Sequence, residues 1–350
     1  MTEAPSRPSG GNPENNPGTA AEIPNRARAP WLIYSAALAA LLWVFHDISW
    51  KTILAQIQSI DARWLIPAIA ADILSYYCQG IRWHYLLRPA GKLSSWKATQ
   101  AIYVGLFVNE ILPMRLCEVA AAFLAGLWLR LPISQVLPSM LIGRLLDGVW
   151  LALAVSALLV IVPLPGNLEW AGNLFGIAVA IGVALFLLLL LPGVRRFIAG
   201  EAPPAPGAGF RGQLRGWFAD LVHGIHEIRQ PRVLIVSAVA SFGVLLFQTL
   251  AFCSVVAAYH LPVSVLAGVA VFLIVHLGTA IPNAPANVGS FQLFTVLGLS
   301  LFGVEKDLAA GFSAGVFLVL TVPLWLIGFL ALSRTGLTLR SIRRQLRSGI

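Results

Sequence analysis

The chain of 350 residues is 58% hydrophobic and only 11% charged, with a mean hydropathy of +0.80. A soluble domain carries about 45–50% apolar and about 25% charged residues, so a water-soluble enzyme is excluded, and the unbroken apolar runs exclude a transmembrane barrel. The net charge of +9 does not point to nucleic acid, because the basic residues cluster at the ends of apolar runs, where they face anionic lipid heads. What remains is an all-α polytopic membrane helix bundle.

In chain order, residues 1–29 carry Pro5, Pro8, Pro13, Pro17 and Pro24 among Gly, Asn and Glu, a composition that cannot bury enough surface to fold and reads as a disordered tail. The apolar span at about 31–47 is followed by His46-Asp47-Ile48-Ser49-Trp50 rather than a small-residue cleavage site, which makes it an uncleaved anchor. Trp50–Ile60 reads as a short interfacial segment. Further apolar stretches run at about 62–87, 94–130, 133–162, 167–191, 232–259, 262–303 and 305–333. Between 192 and 231 lies a loop whose residues 213–229 have helical apolar spacing flanked by Arg211, Arg215 and Arg229, as in a helix lying on the membrane surface. A basic tail, 334–350, closes the chain, so the integral membrane domain spans 30–333.

One crossing takes about 20 residues. The stretches 94–130 and 262–303 are far longer, and both are interrupted near the middle. The first break is Asn109-Glu110-Ile111-Leu112-Pro113 and the second runs from Ile281 to Gly289, with Pro282 and Pro285 three residues apart. Proline removes a donor and clashes with the preceding turn. Irregular backbone at membrane depth survives only when buried in protein or lining a cavity. Each long stretch is therefore expected to be a re-entrant pair of half-helices, giving about six full spans plus two interrupted segments. With both termini cytoplasmic, nineteen basic residues, Arg82 among them, fall on the cytoplasmic side and three on the other, as the positive-inside rule requires. Three crossings separate the hairpins, which suggests an inverted repeat. Paired breaks of this kind point to a transport site near the midplane.

The membrane-embedded ionisable residues are Asp72, Glu110, Arg115, Glu118, Arg144 and Asp147. Each costs roughly 2.5–3.5 kcal/mol to insert and so marks function or pairing. Arg115 and Glu118 stand at i, i+3, as do Arg144 and Asp147. Two readings stay open: two intrahelical ion pairs, or the lining of a hydrophilic cavity. Arg115 falls in the first turn after Pro113, where free backbone N–H groups and the positive end of the helix dipole suit a phosphate. In the second break, Asn283 and Asn287 either cap broken helix ends or contact hydroxyls of a substrate, with Gln292 nearby. His276 reads as a packing residue or a protonatable one. The substrate-binding candidates are thus Asn109, Arg115, Glu118, Arg144, Asp147, Asn283, Asn287 and Gln292, and Pro113, Pro282, Pro285 and Gly289 are the structural breaks.

Catalytic signatures are thin. Gly311-Phe312-Ser313-Ala314-Gly315 matches G-x-S-x-G but lies inside an apolar helix with no strand before it, and it reads equally as the close-packing pattern G-x-x-x-G. There is no Walker A, H-E-x-x-H or dinucleotide fingerprint, and no Cys/His cluster of metal-binding spacing. No cofactor, no metal, no nucleic-acid partner and no enzymatic activity are expected.

The run Val108 to Glu118 resembles the N-x-x-L-P-x-R-x-G-E signature of the lysylphosphatidylglycerol synthase transmembrane family, also called flippase-like or YbhN-type. Gly143-Arg144-Leu145-Leu146-Asp147 is similar to its E-R-x-x-D element, Ile281–Gln292 to I-P-x-x-P-G-x-x-G-x-x-E, and Arg82-Trp83 before Leu86-Leu87 to the end of its second helix. Cys117, Gly143, Ala286 and Gln292 depart from the Gly, Glu, Gly and Glu of these motifs. The resemblance implies translocation of a lipid or lipid-linked substrate bearing phosphate, in the cell inner membrane. Glu118 and Asp147 are then the candidates for ion coupling. Two other readings stay open: a non-catalytic membrane partner of a lipid or cell-envelope biosynthetic enzyme, and an intramembrane lipid-head transferase.

Overall fold

The computed structural model describes residues 28–46, 51, 56, 58–111, 117–161, 176, 177, 180, 181, 184, 230–280 and 284–336. The tail before Arg28, the break 112–116, most of the 167–191 stretch, the 192–229 loop, residues 281–283 and the tail beyond 336 lie outside these. Among the described residues the chain forms nine α-helices: α1 Arg28–Phe45, α2 Ala62–Leu87, α3 Ser95–Ile111, α4 Cys117–Leu129, α5 Ile133–Ile161, α6 Pro231–Ala258, α7 Val265–Gly278, α8 Ser290–Ser300 and α9 Lys306–Ser333. A 3₁₀ turn, Pro285–Asn287, joins α7 to α8.

Three of these helices, α5, α6 and α9, are long and apolar enough to cross a membrane. At 26 residues α2 is also long enough, about 39 Å at 1.5 Å per residue. Its lower hydropathy comes from Asp72, Ser75, Gln79 and Arg82, of which Asp72, Ser75 and Arg82 are buried against other helices. The outer faces are strongly apolar: Ile66, Val160, Ile235, Val239 and Leu326 are all more than half exposed, as residues bathed in acyl chains should be. Lipid supplies no hydrophobic drive between helices, so contacts use small residues. A methyl on Gly105 of α3 would lie 2.4 Å from the Cys117 carbonyl oxygen, and one on Gly328 of α9 would lie 2.7 Å from Phe107 Cβ.

Both interrupted stretches are broken. α7 and α8, with 14 and 11 residues, reach about 21 and 16 Å, short of the ~30 Å hydrocarbon layer. They pack on each other, as do α3 and α4. Each hairpin has its own core. Residues from the C-terminal half of α2, from α3, α4 and the start of α5, and Ala331 and Leu332 of α9 surround the first hairpin. Residues from α6, α7, α8, the later half of α5 and the first half of α9 surround the second. The two hairpins also touch: the Pro285–Asn287 turn packs against α3.

The second break is held in a costly backbone. Ala286 and Asn287 adopt φ of +59° and +55°, and Gly289 +88°. Gly289 is obligatory at its position, since a Cβ there would sit 2.5 Å from the Ala37 carbonyl oxygen of α1. Its N–H donates to Gln292 Oε1 at 2.8 Å, closing the start of α8. The cap of this broken end is therefore Gln292 and not Asn287, the residue expected from the asparagine preference for helix starts.

Gly311 and Gly315 are packing residues. Methyl groups on them would collide with the Gln56 amide and the Tyr259 hydroxyl, at 1.9 and 1.6 Å. Ser313 is fully buried and donates to the Ala310 carbonyl at 2.7 Å, a geometry that withholds it from any substrate. His276 lays its ring against Phe272, one turn earlier, with centroids 5.4 Å apart.

Candidate functional site

A cavity of about 50 Å³ opens between α2, α3, α4 and α5, around the first hairpin. Gln79, Arg82 and Trp83 line it from α2, Glu118 from the first turn of α4, and Ser139, Gly143 and Arg144 from α5; Leu86, Ile102, Leu106 and Met140 supply apolar wall. Such a volume holds a few waters or the oxygens of one small polar group.

The ion pairs here run between helices. Arg144 Nε donates to Glu118 Oε1 at 2.9 Å, and Nη2 donates to the same oxygen. Glu118 also accepts from the Cys117 thiol at 2.7 Å. Asp147 is paired with Arg82 of α2, whose Nη1 donates to Oδ1 and, at 2.8 Å, to Ser241 Oγ of α6. Pairing of Arg144 with Asp147 along one helix is thus overturned. The i, i+3 spacing puts both on α5, but Arg144 reaches across to Glu118 of α4 and Asp147 to Arg82 of α2. Arg82 is a second correction. It is no flanking topological charge but a buried residue, 7% exposed, five positions inside the end of α2. Its removal from the cytoplasmic count leaves the charge asymmetry intact.

The two pairs sit differently. The Arg144 side chain is 57% exposed and stands at the cavity mouth, whereas that of Arg82 is 9% exposed and forms the floor. Gly143 lies directly beneath the floor guanidinium: a methyl at 143 would be 3.3 Å from Arg82 Nε. A neutral bond from Trp83 Nε1 to Ser139 Oγ, 2.9 Å, locks α2 to α5 alongside.

Of the sequence candidates, Glu118 and Arg144 line this cavity, and Asp147 is joined to it through Arg82 without lining it. Asn109 is half-buried on α3 and does not line this cavity, nor do Asn287 and Gln292 of the second break. Arg115, Pro113, Pro282 and Asn283 lie outside the described residues. Glu110 is tied elsewhere, its Oε2 accepting from Trp325 Nε1 of α9 at 3.0 Å. Gln79 and Arg82 were missed by the sequence reading. The signal for them was present, since both are polar residues three apart inside a helix long enough to span.

The model of one protein family, described as lysylphosphatidylglycerol synthase TM region, matches residues 31–328. The chain belongs to the lysylphosphatidylglycerol synthase TM region family. That match covers every described helix except the first residues of α1 and the last turn of α9. It makes the chain a membrane protein of lipid-related function. Among curated proteins and among solved structures no match is found. In this member of the lysylphosphatidylglycerol synthase TM region family, Gly143 stands where the resembling motif has a glutamate, and the floor arginine occupies the space above it.

Proposed function

We propose that the protein moves a phosphate-bearing lipid, or a lipid-linked substrate, between leaflets of the cell inner membrane, with both termini cytoplasmic and without chemical change to the lipid. The observation that carries this reading is a cavity lined by the Arg144–Glu118 pair and by Arg82, which Asp147 anchors from α5, beside a hairpin that touches the other break. A charged headgroup crosses hydrocarbon slowly because its solvation is lost. A cavity walled by two arginines, a carboxylate and an amide replaces that solvation while the acyl chains stay in the bilayer. The exchangeable mouth pair, Arg144–Glu118, is the group that a headgroup phosphate would meet first. Arg115, Asn283 and Asn287 remain candidates for the same substrate from the break segments. A lipid-biosynthetic enzyme that makes or consumes the lipid is the natural partner.

The test is a sidedness assay with head-labelled phosphatidylglycerol in liposomes containing the purified protein. We expect transbilayer movement at least about tenfold above protein-free vesicles, lost in Glu118→Gln and Arg144→Gln, with the lipid recovered at unchanged mass. Movement equal to protein-free vesicles removes the reading, and a changed lipid mass replaces it with transferase chemistry.

A further inference from the structure

The Arg82 guanidinium spends one nitrogen on protein. Nη1 serves both Asp147 and Ser241. Nε and Nη2 form the edge that grips a phosphate or carboxylate side-on, and they have no acceptor among the described residues. That edge lies over Gly143, with a notional methyl 3.3 Å from Nε and 3.4 Å from Nη2. Because residue 143 has no side chain, no described side chain covers the edge from α5, and Arg82 is among the residues lining the cavity. Gln79, one turn earlier on α2, lines the same cavity with an amide that likewise has no hydrogen-bond partner among the described residues. A buried cationic edge left open in this way is costly unless a ligand or water completes it.

We propose that Arg82, through Nε and Nη2 and with the Gln79 amide beside it, is the residue that binds the phosphodiester of a lipid headgroup, and that glycine at 143 keeps the position open. The apolar remainder of the wall, with Leu86, Ile102, Leu106 and Met140, fits a ligand whose phosphate is joined to an apolar body rather than a free anion. Asp147 holds Arg82 in place from the opposite edge, so anchoring and binding use different nitrogens. This proposal rests on the reading of the cavity as a lipid path.

The test measures lipids retained by the purified full-length protein, by native mass spectrometry, offering phosphatidylglycerol, diacylglycerol with the same chains, and inorganic phosphate. Wild type should retain phosphatidylglycerol over diacylglycerol at least about tenfold, the range expected for charge-assisted bonds. Arg82→Lys keeps the charge and loses the fork. Gly143→Glu keeps Arg82 and puts a carboxylate on its open edge. Both should lose the selectivity, and should a thermal melt show Arg82→Lys unfolded, Gly143→Glu carries the test alone. Selectivity at the wild-type level in folded Gly143→Glu, or displacement of phosphatidylglycerol by an equal concentration of inorganic phosphate, overturns the proposal. Selective binding without leaflet exchange would keep Arg82 as the headgroup ligand and remove the transport reading; leaflet exchange with unselective binding would do the reverse.

Discussion

Arg82 on α2 reaches the carboxylate of Asp147 on α5, sixty-five residues away in sequence. The contact joins two helices whose other links are apolar or neutral, and Ser241 extends it to α6. Removing one member of a buried pair strands the other, at about 3–5 kcal/mol. Arg82→Gln and Asp147→Asn should each lower the unfolding free energy in detergent by roughly that amount. The double variant should cost less than the sum by at least about 1 kcal/mol. Strict additivity in a double-mutant cycle would show that the two side chains do not depend on each other.

The mouth pair should behave otherwise. Arg144 is more than half exposed, and exposed pairs contribute about 0.2–1 kcal/mol. Exchanging the charges in Glu118→Arg with Arg144→Glu should leave the melting temperature close to wild type. Lipid movement should stay lost, because the cation a phosphate meets has changed helix. Restoration of transport by the swap would mean that the pair acts only as a clasp.

The second break carries a strain that a single substitution can relieve. Ala286 stands at φ +59°, where an L-residue pays about 1–2 kcal/mol that glycine does not. Part of this gain is offset by the extra freedom of glycine in the unfolded chain. Ala286→Gly should therefore stabilise by roughly 0.5–1 kcal/mol, read as a rise in the thermal midpoint. At the neighbouring cap, Gln292→Leu should cost about 1 kcal/mol, while Gln292→Glu, which keeps an oxygen for the Gly289 N–H, should cost little of it.

Ser313 offers a direct check on hydrolase chemistry. Its hydroxyl is fully buried and bonded to a carbonyl one turn back. Ser313→Ala should leave both stability and lipid movement within experimental error. Gly315→Ala should be destabilising by about 2 kcal/mol or more, since its methyl would overlap the Tyr259 hydroxyl. The opposite order of effects in a melting and transport series would reinstate the serine as a chemical group.

Helix limits were legible from the sequence because run length and hydropathy are properties of one dimension. The stretches at 62–87, 133–162, 232–259 and 305–333 agree with α2, α5, α6 and α9 to within one residue. Both breaks were legible too, the first from Pro113 in an apolar stretch too long for one crossing, the second from two prolines three residues apart. Partner choice was not. Whether Arg144 meets Asp147 or Glu118 depends on how α4 and α5 are rotated about their axes, and that rotation follows from close contacts such as Gly105 against Cys117, which no spacing rule contains. Arg82 was misplaced for a related reason: a residue near a helix end looks like an interfacial charge until the neighbouring helices are seen to extend past it. The cap at Gln292 was hidden because the left-handed turn before it moved the helix start beyond Asn287.

The last helix belongs to both halves of the molecule. Ala309, Ala310, Phe312 and Val316 of α9 are packed in one core, and Ala331 and Leu332 in the other. Trp325 and the Ala331 carbonyl bond to Glu110 and Gln100 of α3 as well. A rod of 28 residues, about 42 Å long, thus ties the core of one hairpin to the core of the other as a single shared strut.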